Sequence, residues 1–272
     1  MMFELSANQY ARVRPIFEDL RYNLVIDSVI DRHTPAWVFV DDDRNPTTAW
    51  MWNRQDAMLL AGGAENDAVN RALGELISDR VIPDARRRLI PQLSLHYAPQ
   101  AWENKQDLIL PDKAAEKACR RFYTLDRLQL DWRAGMPPGY EMVRLDEAFL
   151  KNSALHNIGE VVGWVRSFWH SIRDFTRTGF GFGVLHGESI ISWCLSVYAS
   201  GDNFELGLAT APDHRNQGFA TLTAAACVEH CLLNSLVPHW HCWDDNAPSI
   251  AVAEKVGFAR PVSYQVYRFP VT

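Results

Sequence analysis

The stretch "PDHRNQGFATLTAAACVEHCL", beginning at Pro212, passes within eight residues from charged and turn-forming residues to small and apolar ones at helical spacing. Arg215, Asn216, Gln217 and Gly218 stand at the junction. A strand that ends in a turn and leads straight into a helix leaves the first N–H groups of that helix unpaired, with the positive end of the macrodipole behind them. That is an anion site. Gly218 removes the side chain that would hold a phosphate off the backbone, and Ala220 is small for the same reason. Neither GxxxxGK(S/T) nor a strand-borne GxGxxG is present. In "GFGFGVLHG" the glycines Gly179, Gly181 and Gly183 alternate with Phe180 and Phe182, which reads as a strand with one aromatic and one bare face. His239 and His241 alternate on one face of another strand, placed for base chemistry, for lining a substrate or for structure; no third ligand at useful spacing makes them a metal site. The run Asp41 to Asp43 reads as a solvated turn.

The elements that must position this junction follow from periodicity. Strands are predicted at "NFELGLAT" before it and "PHWHCW" after it, with the helix "FATLTAAACVEHCLL" between them. Upstream lie a strand at "YEMVRL", helical patterns at "LDEAFLKN" and "IGEVVGWVRSFWHSI", and strands at "GFGFGVLHG" and "SIISWCLSVYA". Downstream come the helix "PSIAVAEKVGF" and the strand "SYQVYRF". The first half has a similar order: two strands in "AWVFVDDDRNPTTAWMWN", a strand at "AMLLAGG", and a helix behind an Asn66 cap with Val69, Leu73, Leu76 and Ile77 on one face. Strands at "IPQLSLHYAP" and "RRFYTLDRL" flank a short helix in "AWENKQDLIL". Periodicity stops around "DWRAGMPPGY", so the predicted division is residues 1–136 and 137–272, one topology used twice.

Composition limits the class. A 272-residue chain with 47% hydrophobic residues folds into one large core or two smaller ones. No stretch is long and apolar enough for a membrane span, and "MMFELSANQYARVR" is unlike a signal peptide, so a cytoplasmic location is expected. The five cysteines are an odd number without a CxxC pair, which points to free thiols. A net charge of -6, with "ARRR" as the one dense basic run, argues against nucleic acid as a partner.

The segment "ELGLATAPDHRNQGFAT", followed by a helix, a strand and "NAPSIAVAEKVGF", resembles the GNAT superfamily of acyl-CoA-dependent N-acetyltransferases. The family's (Q/R)-x-x-G-x-(G/A) signature is matched by Arg215, Gly218 and Ala220, and its downstream Asn and Gly-Phe by Asn246 and Gly257-Phe258. The tail "HWHCWDDNAPSIAVAEKVGF" is similar to the branch containing the zwittermicin-resistance acetyltransferase, in which a poorly matching half precedes a competent one. The specific resemblance covers Tyr140 to Thr272. It implies an α/β protein of tandem GNAT-like fold, with mixed central sheets flanked by helices and a degenerate N-terminal half that shapes the acceptor pocket.

The same resemblance implies acetyl-CoA as co-substrate and no metal. Its pyrophosphate is expected on the backbone N–H groups from Gln217 to Thr221, which include Phe219, with Arg215 and Asn216 beside it. Its pantetheine arm is expected along the main chain of Leu208 and Thr210, with an oxyanion donor near Leu208 or Ala209, and with Asn246 and Ser249 completing the cofactor contacts. Glu205 is the candidate base, directly or through water, or else a half-exposed strand residue. Many members carry a Tyr acid seven residues after the Asn; here that position is Ala253, and Ser249, Cys242 or Tyr264 are the open substitutes. Trp240 and His241 are candidate substrate contacts. The expected reaction is direct acetyl transfer to a small-molecule amine in a ternary complex, by a monomer or homodimer, with antibiotic resistance as one setting. The rivals are a non-catalytic acyl-CoA or metabolite sensor and a protein N-acetyltransferase.

Overall fold

The computed structural model describes residues 1–110 and 114–271. Contacts divide them into one unit of Met1–Cys119 with Gln265–Thr272 and a second of Arg120–Tyr264.

In the first unit the strands β1 (Phe3–Glu4), β2 (Trp37–Val40), β3 (Thr48–Trp52), β4 (Ala57–Gly62) and β5 (Gln92–Ala98) lie side by side in chain order. All neighbours are antiparallel except β4 and β5, which run parallel. The turn between β2 and β3 explains the acidic run there. Asp41 accepts the Thr47 and Thr48 N–H groups, and Asp42 those of Arg44 and Asn45. The helices are α1 (Leu24–Ile30), α2 (Asp67–Leu76), α3 (Ile82–Arg87) and α4 (Gln106–Ile109). Helix α2 begins as expected, with the Asn66 side chain accepting from the N–H groups of Ala68 and Val69. Its Leu73 joins Trp50, Trp52, Leu60 and Leu93 in the core.

The second unit takes β6 (Glu116–Leu125) from Arg120 onward, then α5 (Trp132–Gly135), β7 (Tyr140–Arg144), α6 (Glu147–Leu150), α7 (Ile158–Phe168) and α8 (Ile172–Thr178). It continues through β8 (Gly181–His186), β9 (Ser189–Ser200), β10 (Asn203–Thr210), α9 (Phe219–Leu233), β11 (Val237–Trp243), α10 (Ala247–Val256) and the first part of β12 (Phe258–Pro270). The sheet order is β6-β11-β10-β9-β8-β7, again with a single parallel pair, β10 and β11. The expected α/β architecture of mixed sheets flanked by helices is therefore present in each unit.

The division differs from the one read at Met136. Strand β6 pairs with β11, Thr124 against His239 through Arg120 against Trp243, so it belongs with residues far downstream. The end of β12, Tyr267–Pro270, pairs with β5 and belongs with residues far upstream. The Pro-rich segment near Met136 is instead a connection inside the second unit.

Candidate functional site

Strands β10 and β11 pair at only three registers: Asn203 with Val237, Phe204 with Pro238, and Glu205 with His239. Beyond Glu205 they part. Strand β10 stays on β9 through Thr210, while β11 follows β6 through Trp243. Burial records the opening, since Phe204, Glu205 and Leu206 are buried and Gly207 to Thr210 are half-exposed. The divergence leaves a slot lined by β10 backbone whose ladder partner has gone. A bulge in β9 opposite Glu205/Leu206 adds local twist at the same point. Gly207 is bare because a Cβ there would lie 2.6 Å from Val197 and 3.3 Å from the Trp164 ring.

Period-2 alternation sorts the side chains onto two faces. On the α7 face stand Glu205, its register partner Tyr198, and His239 and His241. The Phe122 ring, from β6, stacks on His241 with centroids 4.7 Å apart and lies 5.4 Å from His239. His241 Nε2 is 3.9 Å from Glu205 Oε2, and its Nδ1 shares a 2.9 Å hydrogen bond with the Tyr264 hydroxyl. His239 Nε2 pairs with Asn203 Oδ1 at 2.9 Å. Burial lowers the His239 pKa to about 4, so that ring is neutral at physiological pH. The structure thus brings Glu205, His241 and Tyr264 together.

It does not bring Ser249 or Trp240 to them. Trp240 points to the opposite face, is 2% exposed, packs on Phe258 and donates its indole N–H to Ser249 Oγ at 3.2 Å. Trp240 is a core residue rather than a substrate contact, and the Ser249 hydroxyl is an acceptor within that packing. Cys242 lies on the same opposite face, and burial pushes its thiol up. Asn246 caps α10, its Oδ1 accepting the Ser249 N–H at 3.2 Å. The His241 side chain is 2% exposed, which removes it from the acceptor wall.

The phosphate-loop candidate lies at the far end of β10. A short 3-10 turn, Pro212–His214, leads through Asn216 at φ 60° and Gly218 at φ 90° into α9. Positive φ at Gly218 favours glycine, and nothing lies within 4 Å of where a Cβ would sit. Arg215 Nε donates to Thr210 O and Gln217 Nε2 to Asp213 O, so both side chains brace the loop. Thr210 and Ser192 hydroxyls pair at 2.9 Å, and Ser192 reaches Thr223 of α9 at 3.4 Å, tying the strand end to the helix.

One expectation about the loop needs correction, and one is narrowed to the main chain as expected. The Thr221 N–H already bonds to Gly218 O at 3.0 Å, so the group of N–H donors facing outward ends at Ala220. The Phe219 side chain is buried against Tyr140, Leu222 and Val184, which leaves only its N–H for a ligand. Sequence reasoning missed Phe122 and Tyr198. The alternation in "RRFYTLDRL" shows that Phe122 has a face, and only the β6–β11 pairing shows whose.

Among the described residues, no three His, Cys, Asp or Glu side chains gather as a metal site, and no helix is long and apolar enough to cross a membrane.

The site is an unpaired strand edge with a carboxylate at one end and a helix N-terminus at the other. From Glu205 to Thr210 the strand runs about 17 Å, five residues at roughly 3.3 Å each, between a carboxylate and a helix N-terminus. Comparison with known proteins agrees. The chain is 25% identical over 264 residues to YdfB of Bacillus subtilis (strain 168), an uncharacterized N-acetyltransferase, with 97% of each chain covered. A GCN5-related N-acetyltransferase-like protein from Streptococcus suis 89/1591 shares the fold at TM-score 0.70 and 22% identity, over 97% of this chain and 99% of the other. A tandem GNAT protein from the clavulanic acid biosynthesis pathway does so at TM-score 0.56 and 13% identity, over 100% and 98%. The GNAT acetyltransferase family profile matches residues 14–267, nearly the whole chain, and the protein belongs to that family of N-acetyltransferases, whose co-substrate is acetyl-CoA.

Proposed function

We propose that the second unit binds acetyl-CoA and transfers its acetyl group to a small-molecule amine by direct attack in a ternary complex. The observation that carries this reading is the parting of β10 from β11 directly after Glu205, on the strand whose other end leads into the Gly218 loop. The pyrophosphate would rest on the N–H groups of Gln217 to Ala220. The pantetheine arm would replace β11 as the partner of the Leu208 and Thr210 main chain, and a main-chain N–H at Leu208 or Ala209 would meet the developing oxyanion.

Glu205 is the base. It takes a proton from the attacking nitrogen as the C–N bond forms and the C–S bond breaks. Ser249 and Cys242 are held on the other face of β11 and Tyr264 is engaged with His241. The thiolate therefore departs without a dedicated acid, which a thiol of pKa about 8.5 tolerates.

The first unit serves as the scaffold of this arrangement, and the protein works in the cytoplasm as a monomer or homodimer without nucleic acid. The similarity of "HWHCWDDNAPSIAVAEKVGF" to the zwittermicin-resistance branch makes amino-polyols the first acceptors to try. Thiol release from acetyl-CoA, assayed with amino-polyols, aminoglycosides, amino acids and polyamines, tests the reading. Tight acetyl-CoA binding with no release from any amine would refute it in favour of a sensor.

A further inference from the structure

We propose that His241 and Tyr264 form a positioning pair behind Glu205, in which the Tyr264 hydroxyl fixes the imidazole tautomer and the imidazole N–H holds the Glu205 carboxylate ionised and aimed at the slot. This rests on the reading that Glu205 is the base.

The geometry sets the roles. Had the parallel ladder continued two residues past Glu205 and His239, His241 would lie across from Gly207; the strands have separated there instead. His241 is thus the first residue on this face of β11 beyond the last pair. Its side chain is 2% exposed, so it acts through a neighbour and not on a substrate. The neighbour is Glu205, whose Oε2 is 3.9 Å from Nε2, the other ring nitrogen being engaged with Tyr264. An ionised carboxylate only accepts, so the favourable tautomer carries its proton on Nε2. The Nδ1 lone pair then receives the Tyr264 O–H across 2.9 Å. The reverse tautomer would set a nitrogen lone pair against a carboxylate. Phe122, stacked at 4.7 Å and 29°, holds the ring plane. A closing movement of under an ångström at Glu205 would complete an Nε2–H to carboxylate hydrogen bond of ordinary length.

Among the described residues, strand pairing and hydrogen bonding bring the titratable Tyr198 from β9, His239 and His241 from β11, and Tyr264 from β12 to this face beside Glu205. His239, with its pKa near 4 and its Nε2 on Asn203, stays neutral and supplies no charge.

The first test needs no acceptor. Nitrogen NMR of protein carrying 15N-labelled histidine, with the His241 ring assigned from its loss in His241→Gln, should show a protonated Nε2 and an unprotonated Nδ1. Tyr264→Phe should turn that single state into a tautomer mixture. A proton on Nδ1 in the wild type, or a spectrum indifferent to Tyr264→Phe, overturns the proposal.

The second test uses whichever amine supports thiol release. His241→Leu should lower kcat by roughly 10²-fold, move the acidic limb of the kcat/KM profile upward and leave the acetyl-CoA Kd within twofold. His241→Gln, which keeps an N–H donor, should recover most of the rate and the wild-type limb. Equal losses in Leu and Gln with an unmoved limb mean mere packing and also overturn it. Failure of every amine counts against the proposed function, while the ring spectrum still decides the pair.

Discussion

Replacing Gly218 by Asp puts a carboxylate where the proposed function requires a pyrophosphate, and the structure separates the two costs of that change. The first is conformational: at φ 90° an L-residue is left-handed, at roughly 1–2 kcal/mol, and no atom lies within 4 Å of the new Cβ to add a clash. The second is on binding. Residue 218 is the N-cap of α9, so a carboxylate there competes with a bound anion for the same helix end. Losing two charge-assisted hydrogen bonds at about 1.5–3 kcal/mol each weakens acetyl-CoA by about 10²–10⁴-fold. Gly201→Asp is the control, because Gly201 has φ 53°, equally open space, and sits in the β9–β10 turn at the opposite end of β10. Calorimetry with acetyl-CoA and thermal melts of both variants should show similar small losses of Tm, with loss of affinity confined to Gly218→Asp. Equal affinities in the two variants would refute the phosphate-loop assignment.

Glu205→Gln should keep the acetyl-CoA Kd within twofold and lower turnover by roughly 10²–10⁴-fold; near-normal turnover at pH 7 would place the base elsewhere. Gly257→Ala, at φ 119°, would drive a Cβ to 1.7 Å from the Arg127 carbonyl oxygen, and denaturant melts should show a loss of about 3–5 kcal/mol or an insoluble chain. Burial raises the Asp84 pKa, but Arg88, Arg87 and Arg54, with nitrogens 2.8–3.0 Å from its oxygens, outweigh this and bring it down to about 2. A depressed carboxylate stabilises above its unfolded pKa and loses that contribution as pH falls through the folded one. Asp84→Asn should therefore cost about 2 kcal/mol at pH 7, and its deficit against the wild type in urea melts should shrink between pH 4 and pH 2.

Local signals were legible and long-range pairing was not. The Asn66 cap, the β2–β3 turn, strands β8 to β10 and helix α9 all follow from spacing and turn chemistry within a few residues of themselves. The helical run from Ile158 to Ile172 does not continue as read. Trp169 adopts an extended conformation because its indole N–H donates to Ser196 O at 2.9 Å and its ring packs on Phe175, anchors set by β9 and α8. Residues 7–20 are a 3-10 stretch opened by the Ser6/Gln9 box and containing Pro15, with Tyr10, Val13, Phe17 and Leu20 buried at three- and four-residue spacing. At the site, alternation placed His239 with His241 and left Trp240 opposite, but which face met Glu205 depended on the direction of β10–β11 pairing. The boundary at Met136 failed for the same reason, since a connection looks alike whether it joins two units or lies inside one.

Among the described strands two pairs run parallel, and the difference between them bears on why the proposed chemistry is assigned to the second unit. In the first unit β4 and β5 pair at five registers, Ala57 with Ser94 through Ala61 with Ala98, so the ladder closes to within a residue of the strand end and leaves no slot. In the helix that follows β4 the N–H groups of Ala68 and Val69 are taken by Asn66, and Gly62 is committed to its turn, since a Cβ there would fall 2.0 Å from Thr47 O. In the second unit the ladder stops after three registers and Gly218 faces open space. A thioester needs the opened strands and a pyrophosphate needs the uncapped helix, and among the described residues the proposed function takes both from the second unit, β6 included. Calorimetric titration should therefore give one acetyl-CoA per chain, and Asn66→Ala should lower stability by about 1 kcal/mol without creating a second site. A fragment beginning at Gly139 should be inactive, because it lacks β6 and with it the partner that draws β11 away from β10. Two molecules bound per chain, or full activity in that fragment, would show that the slot is not made by the divergence of these strands.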